Sequence, residues 1–361
     1  MNRSPAFDPP EYVAWRPDPG LSEHYRNTLA ADPVRLALVG TLSPDSLLAI
    51  YSRLLRARLI DVGLKRWVRQ GVISKAWLGT GEEATTVGPV YALDPASDWV
   101  SPMIRNQSAC VDMGMSVADV FRGYLATDNG PSHGRDVHIG SWSHHVLPPV
   151  SPVGIMVPVC LGMAMAARLQ GESSVVLTWI GDGSTKAGVS HEGLNFAAVR
   201  RAPVIYIIQN NQVALGTRLA QHHVPASFAE WPMAYGMQGW GFDGNNVLDA
   251  WAATRLAVDV CRRGEGPVML LAETFRMGGH ATHDEREARE TFPAELFELW
   301  GRRDPIGLYE EYLKETGVAA DALAAIEAGA TEEVDRAAEE ALADRERLPS
   351  PVSALDGICA P

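Results

Sequence analysis

Short apolar runs alternate with segments of helical periodicity through the second half of the chain. Two of these runs, VVLTWI at 175–180 and VIYIIQ at 204–209, are separated by a predicted helix over 186–200. Continuous apolar runs are typical of strands buried on both faces, and a helix between two such strands makes them parallel neighbours. The fold class we predict is α/β, with a mostly parallel central sheet and helices on both of its faces. The other predicted elements are helices near 155–169, 227–235 and 246–263 and strands at 239–244 (GWGFDG) and 267–275 (PVMLLAETF).

The two ends of the chain have a different pattern. Residues 1–40 are rich in Pro and Asp and only weakly periodic, so we expect an extended arm there. Ser43 and Pro44 have the residue types of a helix N-cap and a first helical position, and they open a long helix. We expect the α/β domain to cover 41–300 and a C-terminal helical extension to cover 301–361, where runs typical of strands are absent.

Charge and cysteine content narrow the class of protein. The net charge is −13 and the pI is about 5.2, which disfavours binding to nucleic acid or to an anionic membrane surface. The most apolar segment, 151–167, is shorter than the ~20 residues of a membrane-spanning helix. The cysteines form no C-x-x-C pair, which favours free thiols and a cytoplasmic location. They are Cys110, Cys160, Cys261 and Cys359.

Polar residues follow both of the central strands. Gly181, Asp182 and Gly183 come after the first strand, and Asn210 and Asn211 come after the second. Parallel strands end at the same edge of a sheet, and ligands bind at that edge in open α/β folds. We therefore expect the carboxylate of Asp182 and the carboxamide of Asn211 to lie close together.

Two common phosphate-binding loops do not fit this stretch. A P-loop requires Lys where the chain has Val189, and a dinucleotide-binding loop requires Gly where it has Lys186. Oxygen ligands remain, from Asp182, Asn211 and the backbone that follows. Mg²⁺ binds few protein oxygens and completes its shell with water and phosphate, and a helix beginning after Gly183 would direct backbone amides at the same place. The residues predict a magnesium–diphosphate site; the alternative is two tight turns without a ligand.

The combination of Gly-Asp-Gly, a gap of this length and Asn-Asn resembles the thiamine diphosphate motif. Over residues 43–345 the chain is similar to the α subunits of the decarboxylating component of 2-oxo acid dehydrogenase complexes, the pyruvate and branched-chain enzymes. The resemblance implies the thiamine diphosphate-binding fold, thiamine diphosphate and Mg²⁺ as cofactors, and metal ligation by Asp182, Asn211 and the backbone carbonyl of Val213. The cofactor-binding residues that it implies are Arg105, Ser151, Val153, Gly181, Asp182, Gly183, Ser184, Asn211, Val213, Leu215 and His280.

Two of these residues lie in longer stretches that match the family. TFRMGGHATHDEREARE resembles the loop that carries an active-site His, so His280 is the implied catalytic residue, able to donate a hydrogen bond or move a proton. Arg105 in SPMIRNQS falls on the family's Tyr-Arg pair, whose Arg binds diphosphate. Ile104 replaces the Tyr of that pair and removes one hydrogen bond to phosphate. Ala281 replaces a regulatory Ser of animal members, so that phosphorylation site is absent at this position.

Other stretches of the chain also resemble segments of the family. HHVLPPVSPVGIMVPVCLGMAMAA resembles the segment whose backbone touches the aminopyrimidine ring, at Ser151 and Val153. Ile155 and Met156 stand where some branched-chain members bind potassium through oxygen, so we expect no such ion. GTGEEATTVG, HEGLNFAA and FDGNN also match the family. Within HEGLNFAA, the resemblance implies only a structural role for Glu192 and Asn195.

The resemblance implies that the chain holds half of an active site. The Glu that activates the cofactor ring comes from another domain in single-chain relatives, and here a separate β subunit would supply it, in a heterotetramer of two α and two β subunits. The implied reaction is oxidative decarboxylation of a 2-oxo acid, pyruvate or branched-chain, with acyl transfer to the lipoyl group of a transacylase. We expect the chain to be inactive alone. The alternatives are an acetoin dehydrogenase α subunit and a non-catalytic degenerate homologue.

Overall fold

A central sheet with helices on both faces organises the chain in the computed structural model, which describes residues 1–225 and 227–356. The strands, β1 to β7, are Trp99–Ser101, Val176–Gly181, Val204–Asn210, Val213–Ala214, Thr217–Arg218, Gln238–Asp243 and Val268–Glu273. The helices, α1 to α16, are Pro10–Val13, Pro19–Ala30, Pro33–Val39, Pro44–Arg69, Glu83–Tyr91, Ser108–Asp112, Val117–Leu125, Met156–Leu169, Gly188–Arg200, Leu219–His222, Trp231–Ala234, Val247–Arg262, Glu285–Thr291, Ala294–Gly301, Pro305–Glu315 and Ala320–Ala343. Short 3₁₀ turns span Ile104–Asn106, Trp142–His144, Ser184–Lys186 and Pro351–Leu355.

Five parallel strands form the main sheet, in the order β1-β2-β3-β7-β6. The register pairs Gly181 with Gln209 and Asn210 with Glu273, so β2, β3 and β7 end side by side. This confirms the predicted parallel α/β fold. The sequence did not predict β1, because a three-residue strand is too short to show a periodicity.

Each face of the sheet has its own helical layer. Along β2, Leu177 and Trp179 point into a core shared with α4, α5, α7, α12 and α16. Val176 and Ile180 point the other way, against α8 and α9. Alternation of side chains along a strand explains this division, and burial on both sides explains why the strands are apolar throughout.

The N-terminal segment is helical, so the expected extended arm is wrong for residues 1–40. Asp18 accepts hydrogen bonds from backbone amides at the start of α2, and Asp32 does the same for α3, while a proline occupies the first position of each helix. In each Asp-Pro pair the Asp is the N-cap, because its carboxylate accepts hydrogen bonds from backbone amides that would otherwise be unpaired. The Pro suits the first helical position because its nitrogen has no hydrogen to donate. Tyr12, Tyr25 and Leu29 are buried against the rest of the chain.

Other predicted helix ends agree with the structure. Ser43 accepts from the backbone amide of Ser46 at the start of α4, and Asn246 accepts from that of Asp249 at the start of α12. The C-terminal helices α15 and α16 lie in the segment predicted as a helical extension, while the predicted domain boundaries stay a prediction. The helix after β2 begins at Gly188 rather than directly after Gly183, because the 3₁₀ turn comes first.

The cysteines and the helix lengths bear on two further predictions. Cys110, Cys160 and Cys261 are free and buried, and Cys359 lies outside the described residues. Burial raises the pKa of each of these three thiols well above its usual range, which makes them poor nucleophiles. Within residues 1–225 and 227–356, no single helix is long and apolar enough to span a membrane, although the bent pair Pro33–Val39 and Pro44–Arg69 passes that test by length and composition.

Candidate functional site

A cavity of about 650 Å³ opens at the carboxyl ends of β2 and β3. Its size lies in the range of small-molecule and cofactor sites. All the predicted site residues line it, although they come from five separate segments of the chain. They are Arg105, Ser151, Val153, Gly181, Asp182, Gly183, Ser184, Asn211, Val213, Leu215 and His280.

Two buried oxygen atoms at this cavity lack hydrogen-bond partners among the described residues. They are Oδ2 of Asp182 and Oδ1 of Asn211, and both side chains are almost fully buried. Burial raises the pKa of Asp182 from its usual value to about 6, although a hydrogen bond from the Gly183 backbone opposes the shift. Unpaired buried oxygens are costly, and a bound cation would satisfy both. The donor set therefore fits a metal ion.

The orientation of Asn211 is set by a residue that the sequence did not single out. Glu82 is fully buried at the start of α5, and its Oε1 accepts a hydrogen bond of 2.9 Å from Nδ2 of Asn211 and another from Gln209. A carboxylate can only accept, so the amide nitrogen must face Glu82 and Oδ1 must face away from it. The segment GTGEEATTVG was the available signal, but sequence similarity alone did not distinguish Glu82 from its neighbours.

The loop after β3 approaches the loop after β2 very closely. Val213 and Ala214 pair with Arg218 and Thr217 in a small antiparallel hairpin, which fixes the backbone that carries the Val213 carbonyl. A Cβ atom on Gly183 would lie only 2.5 Å from the Cβ of Ala214. Glycine is therefore required at 183 for close packing of the two loops, and not for an unusual backbone angle, since its φ is −66°.

Two guanidinium groups border the cavity. Arg105 donates to the backbone oxygen of Leu78 at 2.9 Å, and Arg276 donates to that of Leu215 at 2.9 Å. Burial lowers the pKa of Arg276 to about 10, so it remains charged at neutral pH. Two fixed cations beside a cavity are suited to an anionic ligand such as a diphosphate. Arg276 lies within the matched stretch TFRMGGHATHDEREARE, but nothing in the sequence marked it as part of the site.

His280 lies on the loop between β7 and α13 and is half-buried at the rim of the cavity. Its backbone amide donates to Asp284, and its Nδ1 lies 3.3 Å from Nη2 of Arg105. Because a guanidinium can only donate, Nδ1 accepts and the ring proton sits on Nε2. Burial, together with the charges of Arg105 and Arg276, lowers the pKa of His280 to about 4, so the ring is neutral at pH 7.

The remaining predicted residues occupy the outer part of the cavity. Ser151 and Val153 lie in an exposed turn before α8, and Ile104 lines the wall beside Arg105 without offering a hydrogen bond. Two residues predicted to have no chemical role, Glu192 and Asn195, are exposed on α9 and do not line the cavity. No cluster of three or more His, Cys, Asp or Glu side chains suited to a metal occurs in residues 1–225 and 227–356. A cation here would depend on amide, backbone and ligand oxygens as well.

Comparison with known proteins places this chain in a family. The model of the dehydrogenase E1 component family matches residues 51–350. The 2-oxoisovalerate dehydrogenase subunit alpha of Bacillus subtilis is 32% identical over 324 residues, which cover 88% of this chain and 97% of the relative. The pyruvate dehydrogenase E1 component subunit alpha of Acholeplasma laidlawii is 32% identical over 276 residues, covering 76% and 77%. The 3-methyl-2-oxobutanoate dehydrogenase subunit alpha of Mycobacterium tuberculosis is 31% identical over 284 residues, covering 77% and 73%.

The chain belongs to the dehydrogenase E1 component family, as an α subunit of the 2-oxo acid dehydrogenases. The predicted family, fold and class of enzyme, an oxidoreductase, are thereby confirmed. Membership implies thiamine diphosphate as the cofactor and a β subunit within a larger complex. The relatives divide between pyruvate and branched-chain enzymes, so the substrate is not decided by similarity.

Proposed function

We propose that the chain holds the diphosphate of thiamine diphosphate through Mg²⁺ bound by Asp182, Asn211 and the Val213 carbonyl. The observation that carries this proposal is the pair of buried oxygens, Oδ2 of Asp182 and Oδ1 of Asn211, that lack partners among the described residues. Mg²⁺ takes a few protein oxygens and completes its shell with phosphate and water. When bound, the cofactor supplies the electron sink that decarboxylation of a 2-oxo acid requires.

The residues of the chain bind and orient in this proposal. Arg105 and Arg276 donate hydrogen bonds to diphosphate oxygens, since both lie beside the cavity and are held by backbone acceptors. His280 is neutral and carries its proton on Nε2, so it donates a hydrogen bond toward the reacting end of the cavity without adding charge. Leu215 is largely exposed at the cavity and offers an apolar surface to the cofactor.

The β subunit in this proposal supplies the activating Glu, in an assembly of two α and two β subunits, and a lipoyl-bearing transacylase receives the acyl group. Large apolar side chains on the outer surface of α8 and α9 support a protein partner on that side, because such residues are normally buried. They are Val159, Leu169, Phe196 and Val199. The expected cytoplasmic location stays a prediction, which cell fractionation would test.

The substrate we propose is a 2-oxo acid, either pyruvate or a branched-chain acid. The test is to co-express the chain with its β subunit and to assay pyruvate, branched-chain 2-oxo acids and acetoin. We expect decarboxylation of a 2-oxo acid by the pair and none by the chain alone. Turnover of acetoin only would assign the acetoin alternative.

Calorimetry distinguishes the proposal from the non-catalytic alternative. Ile104 supports that alternative, because its side chain cannot form a hydrogen bond with phosphate. We expect thiamine diphosphate to bind the α–β pair only when Mg²⁺ is present, and Asp182→Asn to abolish that metal dependence. Absence of cofactor binding by the unsubstituted pair would support the degenerate homologue instead.

A further inference from the structure

His222 lies next to the proposed metal site and has no role in the function described so far. It is the last residue of α10, and its side chain is 12% exposed. Neither of its ring nitrogens has a hydrogen-bond partner among the described residues, although both are buried. A buried imidazole ordinarily has at least one partner, because each ring nitrogen either donates or accepts.

The His222 ring lies beside one oxygen atom of the proposed metal site. Nε2 of His222 lies 3.5 Å from Oδ2 of Asp182. That separation is longer than a normal N–H···O hydrogen bond, and Oδ2 is itself without a partner among the described residues. Two ligands that bind one cation at right angles, each about 2.1 Å from it, are about 3 Å apart. The observed separation is close to that of two ligands of one ion.

Lys186 is a cationic side chain near this ring. The Lys186 ammonium is held elsewhere, 2.8 Å from Nδ1 of His223, and it also lies over the rings of Phe228 and Trp231. It therefore does not occupy the space between His222 and Asp182.

We infer that Nε2 of His222 is an additional ligand of the cation bound by Asp182, Asn211 and the Val213 carbonyl. This inference rests on the proposed function, and it makes the site a mixed nitrogen–oxygen site. Mg²⁺ prefers oxygen ligands only, whereas imidazole nitrogen binds first-row transition metals more strongly. A histidine ligand therefore raises the affinity of the site for Mn²⁺ and Co²⁺ relative to that for Mg²⁺, and His222 takes a position that water would otherwise fill.

Pulsed electron paramagnetic resonance with Mn²⁺ tests this inference directly. The α–β assembly is loaded with Mn²⁺ and thiamine diphosphate, and electron spin-echo modulation reports whether nitrogen is bound to the ion. We expect a directly bound ¹⁴N in the unsubstituted protein, converted to a ¹⁵N pattern when histidine is ¹⁵N-labelled. His222→Gln should lose the signal. The matched control His223→Gln, which removes the neighbouring imidazole, should keep it.

A second measurement compares metals by calorimetry in the presence of the cofactor. Glutamine at 222 can offer an oxygen but no nitrogen, so His222→Gln should lower the preference for Co²⁺ over Mg²⁺ about tenfold while Mg²⁺ still binds. Bound Mn²⁺ without any histidine nitrogen would overturn the inference and leave the proposed function standing. Failure of the unsubstituted assembly to bind any divalent ion would overturn both. The labelling result on the unsubstituted protein decides the question even where His222→Gln does not fold.

Discussion

The close approach of Gly183 to Ala214 predicts a specific response to added volume. In Gly183→Ala the new methyl would start 2.5 Å from the Ala214 methyl, about 1–1.5 Å less than the roughly 3.5–4.0 Å between carbon atoms in contact. Overpacking of this kind costs about 1–3 kcal/mol, while loss of unfolded-state freedom on replacing Gly by Ala returns about 0.4–1 kcal/mol. We expect the free energy of unfolding to fall by about 0.5–2 kcal/mol, measured by urea denaturation.

The same displacement should affect the site. A shift of about 1 Å between the two loops separates Asp182 from Asn211, so we expect metal-dependent cofactor affinity to fall about tenfold or more. Calorimetry on the α–β assembly would measure that loss. The losses of affinity and of stability both come from the clash with the Ala214 methyl, so a second substitution that removes this methyl should reduce both losses.

The glycine on the other side of Asp182 provides the control. A Cβ on Gly181 would lie 3.6 Å from the sulfur of Met103, an ordinary contact, so Gly181→Ala should change stability by less than about 0.5 kcal/mol. Adding Ala214→Gly to Gly183→Ala leaves the Ala214 Cα, 3.4 Å away, as the nearest atom. The two changes should therefore be coupled by about 1–2 kcal/mol in the favourable direction. Equal losses for both glycine variants, or simple additivity in the double variant, would refute the reasoning.

Three further predictions concern the side chains of the site. Glu82→Gln removes the carboxylate that orients the Asn211 amide, so calorimetry should show a loss of about 10–100-fold in metal-dependent cofactor affinity with the fold retained; unchanged affinity would contradict that role. The pKa of Asp182 is raised from 3.8 to about 6, so its contribution to the stability of the ligand-free chain is greatest below pH 4 and is lost as pH rises through 6. Cation binding needs the ionised form, and its affinity should therefore rise with pH up to about 6 and then level off; an affinity that is flat from pH 5 to 7 would exclude this titration. His280→Asn should lower turnover about 10²–10⁴-fold with cofactor affinity little changed; because burial and neighbouring cations hold the pKa of His280 near 4, its protonation should leave no inflection in the turnover profile between pH 6 and 8.

The parts of the site that the sequence predicted are those with a local signal. Asp182 and Asn211 each follow an apolar strand directly, and the register of parallel strands brings such positions together. Their meeting at one cavity follows from the pattern of strands and helices alone. The roles of these residues in binding stay predictions until a cofactor-bound form is measured.

Glu82, Arg276 and His222 were not predicted because their importance comes from contacts between distant segments. Glu82 is 129 residues from Asn211 in sequence. The pattern of apolar and polar residues cannot indicate whether Glu82 or the adjacent Glu83 contacts the Asn211 amide. His222 lies on a four-residue helix, and its separation from Asp182 depends on how the loop after β3 folds back.

The wrong prediction of an extended arm at residues 1–40 has a different origin. Asp18-Pro19 and Asp32-Pro33 have the same cap-and-proline pattern as Ser43-Pro44, which begins α4 as predicted. The periodicity of apolar residues in α2 is weak, because polar residues separate them, and we therefore did not expect a helix there. Local capping chemistry was a better guide to these helices than periodicity.

The charges around the cavity determine how its two ligands depend on each other. Glu82 lies 3.8 Å from Arg105, and Asp182 is one of the carboxylates whose charge acts on Arg276, so opposite charges of the chain offset one another around the cavity. A divalent cation alone, or a diphosphate alone, introduces unbalanced charge into a site shielded from water, which is unfavourable. Bound together, the two ligands neutralise one another. The chain therefore acts as a receptor for an ion pair, with each member raising the affinity of the other by the same factor.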